Sequence, residues 1–288
     1  MNKQSQADLA LLLVALIWGS TFVIVKEAVS DFPIFTFLTL RFSLALTALM
    51  PFCWQRLLTI KWRQTGAGLL TGLLFFAGYA FQTLGLRQTS ASKAGFITGL
   101  YVVVVPLLST LVFRQRPSGN VLAGVALATV GLALLSLRGD ITVAQGDLLV
   151  LICAFAFAAH IVAVGKFTAE IETLTLTALQ IVAVIVASVV LCFTTESPPL
   201  RIPVTVLGAA TFTGVVATAL VLFLQTWAQR FTAPTHTALI FSTEPVFAAL
   251  FGYLLASERL GARALAGCGL ILAGMLVAEL GKEKGSAV

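Results

Sequence analysis

Charge is scarce in this chain. Asp, Glu, Lys and Arg make up 10% of its 288 residues against 59% hydrophobic, where a soluble protein carries roughly a quarter charged. Mean hydropathy is +1.01, so the surface must face lipid rather than water. Long polar connections are missing too: none exceeds roughly 10–12 residues, far below domain size, which excludes a separate soluble domain. Cysteine is limited to Cys53, Cys153, Cys192 and Cys268, all in apolar runs without C-x-x-C pairing, so packing is expected and metal or disulfide chemistry is not. No metal site and no cofactor are expected. A P-loop is absent, as is H-E-x-x-H, and Asp8, Asp31, Asp140 and Asp147 all sit at span ends. Direct ATP drive and intramembrane protease chemistry are disfavoured accordingly. The net charge of +6 comes from basic residues scattered singly or in small groups, without the stripe a nucleic-acid partner requires.

What is present is apolar sequence in lengths that cross a bilayer. A hydrocarbon core of about 30 Å takes about 20 helical residues. The pattern predicts an all-α integral membrane protein with spans at 8–27, 33–53, 66–87, 92–113, 120–137, 147–166, 173–193, 204–226, 234–256 and 262–281. Residues 9–25 read as a retained first span rather than a signal peptide. The loops on the N-terminal side hold Lys3, Arg56, Lys61, Arg63, Arg114, Arg116, Lys166, Arg230, Lys282 and Lys284. The opposite face holds Lys26, Arg87, Lys93, Arg138, Arg201, Arg259 and Arg263. The excess favours both termini in the cytoplasm, with the protein in the inner (plasma) membrane.

The second half echoes the first. A shift of 143 sets residues 71–137 on 214–280 without a gap, matching Gln82-Thr83 with Gln225-Thr226, Arg87 with Arg230, Thr89 with Thr232 and Arg116 with Arg259. Gly124, Gly131 and Leu137 fall on Gly267, Gly274 and Leu280. A shift of 139 sets Asp8 on Asp147 and Arg41 on Gln180. The chain is read as two five-helix repeats, 1–140 and 141–288. Because five is odd, the second must be inverted, as in many secondary transporters.

The segments "ALIWGSTFVIVK" at 15–26, "LRF" at 40–42, "TALIFSTEPVFAALFGYLLASERL" at 237–260 and "GCGLILAGMLV" at 267–277 resemble the drug/metabolite transporter superfamily, specifically its EamA-type ten-helix members. In the first half Tyr101-Val102 stands where the second half has Glu244-Pro245, so the two blocks are not equivalent. The resemblance implies a basket of ten helices around a central cavity, with helices 1–4 and 6–9 lining it and 5 and 10 bracing it. It also implies export of amino acids and related small metabolites.

Polar and aromatic groups at mid-depth are the candidate site, since an ionisable side chain there costs at least about 2.5–3.5 kcal/mol. Glu244, before the helix-interrupting Pro245, suits a solute ammonium or a proton; a structural carboxyl is the alternative. Arg41 either receives a carboxylate, pairs with Glu244 or holds a neighbouring helix, and the last is favoured. His160, on helix 6, relays protons, reads a solute or simply bonds a neighbour; its counterpart under the shift of 139 is Thr21. His236 reads as interfacial. Trp18, Tyr79 and Tyr101 sit at mid-span although Trp and Tyr prefer the interface, which a polar cavity explains; Phe157 and Phe241 suit either pocket or packing. Gln82 and Gln225, with Thr83 and Thr226, suit gates at opposite mouths or interhelical hydrogen bonds. Gln180 is a polar position of the same structural kind. Ser20, Thr98 and Ser242 add donors. Gly68/Gly72 and Gly95/Gly99 read as close-packing pairs. The leading expectation is an exporter of small metabolites, most of all amino acids with apolar or aromatic side chains, working by alternating access. Export of hydrophobic cationic drugs is the nearest rival, and an intramembrane enzyme is the more distant one. The expected partners are a small-molecule solute and the lipid bilayer, with a monomer preferred over a glycine-packed dimer.

Overall fold

The computed structural model of the chain describes residues 2–89, 91–114, 116–136, 144–256 and 261–280. The expected boundary between halves at 140/141 lies outside these residues, as do Leu137, Arg138, Asp140, Arg259, Lys282 and Lys284. The described chain is helical throughout, without a strand. In order, the helices are α1 (Lys3–Ala28), α2 (Ile34–Leu58), α3 (Trp62–Leu86) and the two-part α4 (Ala91–Gly99 and Tyr101–Phe113). Then come α5 (Gly119–Ser136), α6 (Gln145–Phe167), α7 (Thr173–Thr195) and the three-part α8 (Val204–Thr211, Phe212–Leu220, Val221–Ala228). The two-part α9 (Pro234–Phe241 and Glu244–Ala256) and α10 (Ala262–Leu280) complete the chain. α1, α2, α3, α6, α7, α8 and the Ala94–Phe113 stretch of α4 are each long and apolar enough to cross a membrane; α5 and α10 carry shorter apolar stretches, Gly119–Leu135 and Ala262–Ala278.

α1, α2 and α3 run past the expected spans at one or both ends. Hydropathy marks the edge of the hydrocarbon, whereas a helix continues into the interface wherever breaking it would leave backbone groups unpaired. Outward faces carry large apolar side chains such as Leu107, Leu111 and Phe193, each at least two-thirds exposed, as lipid contact requires.

Two helices are broken at mid-depth. In α9 the break is at Ser242-Thr243, ahead of Pro245, which has no N–H to give the Phe241 carbonyl and stands in the first turn of the new segment, where proline is tolerated. The Ser242 and Thr243 hydroxyls turn back onto the Leu239 and Ile240 carbonyls at 2.6 and 2.7 Å. α4 breaks at Leu100, which the shift of 143 sets on Thr243 at the α9 break. No Glu-Pro is present there.

Packing is closest where side chains vanish. α5 and α10 cross on glycines: a Cβ on Gly131 would lie 2.6 Å from the Gly267 carbonyl oxygen, and one on Gly274 would lie 2.6 Å from that of Gly124. Gly72 of α3 rides equally tightly on the Gln180 backbone of α7. Of the expected pair Gly95/Gly99, only Gly99 packs closely, a Cβ there lying 3.2 Å from Leu132; no described residue comes within 4 Å of a Cβ built on Gly95. Apolar side chains gather into two clusters, one centred on α2, α3 and α7, the other on α1, α4, α5, α6, α9 and α10; Phe157 packs against both.

Candidate functional site

Between those clusters lies a cavity with about 570 Å³ of space free of protein atoms, part of it continuous with the outside. Its wall carries Trp18, Thr21, Arg41, Tyr79, Gln82, Thr98, Tyr101, Phe157, His160, Gln225, Phe241 and Glu244. It also carries Phe22, Val25, Phe75, Leu86 and Ile161, which the sequence reading missed. A signal for some was available: Phe22 and Val25 lie at helical spacing from Trp18, and Phe75 and Leu86 from Tyr79 and Gln82. Gln180 lies behind the wall rather than on it. Ser242 is a correction: its hydroxyl is spent on the Leu239 carbonyl at the α9 break, and it does not border the cavity.

Arg41 is 1% exposed. Its Nε donates to Thr218 Oγ1 at 2.9 Å and its Nη2 to the Tyr79 hydroxyl at 3.0 Å. The guanidinium carbon also lies 4.5 Å from the Tyr79 ring centre. A guanidinium has five N–H donors, so these bonds position it without exhausting it. Thr218 can accept because its own proton goes to the Thr213 carbonyl, five residues back, at 2.8 Å. That spacing belongs to the π-helical stretch Phe212–Leu220 of α8, and such wide turns are frequent at functional sites. Trp18 donates from Nε1 to the Ala217 carbonyl of the same stretch at 2.9 Å. Gly214 lets the Arg41 backbone approach, since a Cβ there would lie 2.4 Å from the Arg41 carbonyl oxygen.

Glu244 starts the second part of α9 and is 9% exposed. Its carboxyl makes no hydrogen bond and no ion pair with any described residue. The expected alternative of an Arg41–Glu244 pair is therefore not realised: Arg41 is held by neutral groups. Gly19 fixes the α9 backbone here, because a Cβ on it would meet the Glu244 carbonyl oxygen at 2.7 Å. The cavity thus holds one cation and one acid, both buried, neither satisfied by the other.

Rings enclose the rest. Tyr79 meets Phe75, Phe42 and Phe157 edge to face at 4.8, 5.3 and 5.5 Å between centres. Phe75 stacks on His160 at 4.5 Å, and Trp18 meets Phe241 at 5.3 Å. Gly78 makes room for Phe157, whose ring would be 2.3 Å from a Cβ. Gln82 donates to Thr98 at 3.3 Å across α3 and α4. Gln225 donates to Gln229, which donates to the Ile161 carbonyl of α6 at 2.8 Å, while Gln225 Oε1 is left without a partner.

Polar contacts tie helix ends together on both faces. Asp8 accepts from Thr232 at 3.2 Å and lies 3.4 Å from His236 Nε2; His236, expected to be interfacial, belongs to this cluster. On the other face Asp147 accepts from Thr89 at 2.5 Å, and Lys26 donates to the Thr89 carbonyl.

A buried, polar-and-aromatic hollow in the middle of a lipid-facing helical protein is the arrangement of a solute carrier. The chain matches the EamA-like transporter family over residues 5–137 and again over 144–279, and it belongs to that family: it is a multi-pass membrane transporter. An uncharacterized transporter of Archaeoglobus fulgidus is 37% identical over 279 residues, covering 96% of this chain and 87% of its own. The uncharacterized transporter YcxC of Bacillus subtilis is 25% identical, with 98% and 96% covered. A probable amino-acid metabolite efflux pump of Escherichia coli is 28% identical over 154 residues, 51% of this chain and 49% of its own. A crystal structure at 18% identity superposes with a TM-score of 0.81 over 98% of this chain and 100% of that one, which shows the fold.

Proposed function

We propose that the protein exports zwitterionic metabolites, foremost amino acids with apolar or aromatic side chains, across the inner membrane by alternating access. The observation that carries the reading is the pair of buried ionisable groups, Arg41 and Glu244, in one cavity and not paired with each other. Free N–H groups of Arg41 suit a carboxylate, and the unpartnered Glu244 carboxyl suits an ammonium. The rings of Trp18, Tyr79, Tyr101, Phe157 and Phe241 suit an apolar body between them. The partial likeness to the Escherichia coli protein points the same way. In this reading the halves 1–140 and 141–288 are inverted repeats that rock about the cavity, with both termini in the cytoplasm.

Glu244 and the rings also favour hydrophobic cations, which Arg41 disfavours. Counterflow in proteoliposomes separates the two. Radiolabelled L-phenylalanine is expected to accumulate transiently, with unlabelled L-phenylalanine competing and its amide or N-acetyl derivative failing to compete. Competition by cationic dyes with no amino-acid flux would replace the reading with the rival; chemical conversion of solute without translocation would indicate an enzyme.

A further inference from the structure

His160 and Gln180 together contain an assignment that follows from hydrogen-bond chemistry alone. The Gln180 side chain is fully buried, and its Nε2 donates to the Leu176 carbonyl at 3.1 Å. A carbonyl can only accept, so the amide cannot be turned over, and it is Oε1 that faces His160 Nε2 at 2.6 Å. Oε1 also can only accept, so His160 Nε2 must carry a proton. Turning the imidazole over would set the Cε1 carbon against Oε1 and forfeit this bond, and the ring lies flat on Phe75 with 25° between planes. The other nitrogen, Nδ1, makes no hydrogen bond with any described residue, and His160 lines the cavity wall. The ring is 1% exposed and pairs with no described carboxylate, so a charged imidazolium is disfavoured.

We infer that Gln180, from behind the cavity wall, locks the neutral His160 in the Nε2–H form so that Nδ1 is a hydrogen-bond acceptor for an N–H or O–H donor of the transported solute. Gln180 is a positioning residue, acting through His160 without touching the solute. The assignment of a solute donor rests on the proposed transport of amino acids; the tautomer does not. With Glu244 on the same wall, the site offers two acceptors to an ammonium.

The chain has two histidines, which makes ¹⁵N-histidine labelling decisive, with H236Q assigning the pair. The full-length protein is expected to show His160 with Nε2 protonated and Nδ1 bare, and L-phenylalanine is expected to shift the Nδ1 resonance. Q180L is expected to lose the single-tautomer signature and to raise the KM for L-phenylalanine about tenfold, the scale of one lost hydrogen bond, with kcat nearly kept. A protonated Nδ1 in the wild-type protein would overturn the proposal, with no variant needed should Q180L fold poorly. So would an Nδ1 resonance unmoved by a solute that demonstrably exchanges. If no amino acid is transported but the Nε2–H form is found and Q180L abolishes it, the lock stands and the transport reading alone fails.

Discussion

Arg41 is the residue on which the site's architecture converges. Its fork holds Thr218 and Tyr79 at once, a geometry that a lysine ammonium cannot reproduce. R41K, which keeps the charge, is therefore expected to lose at least about tenfold in kcat/KM for counterflow, whereas a role limited to charge would leave it near wild type. Glu244 is the complementary case. E244Q keeps shape and removes the anion, and a charged hydrogen bond is worth roughly 1.5–3 kcal/mol. The expected result is a rise of about 10- to 100-fold in the KM for amine-bearing solutes, with protein yield and melting temperature unchanged. Equal transport by E244Q would remove the carboxylate from recognition.

Among the helices, two contacts lend themselves to stability measurements. α5 and α10 touch backbone to backbone at Gly131 and Gly267, so G131V must push the helices apart, and overpacking of this kind costs about 1–3 kcal/mol. G95A, where a Cβ meets open space, is the control and should melt with the wild type. The second contact caps α7: Glu172 accepts from the Thr175 N–H at 3.0 Å and from its hydroxyl at 3.1 Å, and pairs with Arg56. Partial burial works against the carboxylate, but Arg56 and Thr175 outweigh it and hold the Glu172 carboxyl below its usual range. Because the folded value is depressed, the contribution is complete at neutral pH and fades as acid takes the pH down through the carboxylate range. E172Q is expected to cost about 1 kcal/mol at neutral pH and to narrow its gap from the wild type as the pH falls. A constant gap down to strong acid would contradict the charge-based cap.

Helix count and approximate boundaries could be read from the sequence because lipid makes hydropathy a direct structural signal. Much of the cavity wall could be read for the opposite reason: Trp18, Tyr79, Arg41, His160 and Glu244 are costly in lipid and so advertise themselves. Phe22, Val25, Phe75, Leu86 and Ile161 offered at most their helical spacing from polar and aromatic positions of the wall, since an apolar side chain in a span looks the same toward lipid, core or cavity. The partnerships were hidden too. Arg41 meets Thr218 across 177 residues of chain, and the π-helical stretch that presents Thr218 has no sequence signature. Ser242 misled because a hydroxyl beside a helix break has a carbonyl at hand to satisfy.

At the scale of the whole molecule, the hollow's wall comes from α1–α4, α6, α8 and α9, while α7, expected on the wall, stands behind it, and the hollow must be reachable in turn from each side of the membrane. Tyr101, at the break of α4 and on the cavity wall, is the place to test it. In a variant with Cys53, Cys153, Cys192 and Cys268 replaced, Y101C can be treated with a membrane-impermeant thiol reagent in right-side-out and in inverted vesicles. Modification is expected from both sides, slowed from both by L-phenylalanine. Modification from one side only in a variant that still transports, or from neither, would contradict alternating access.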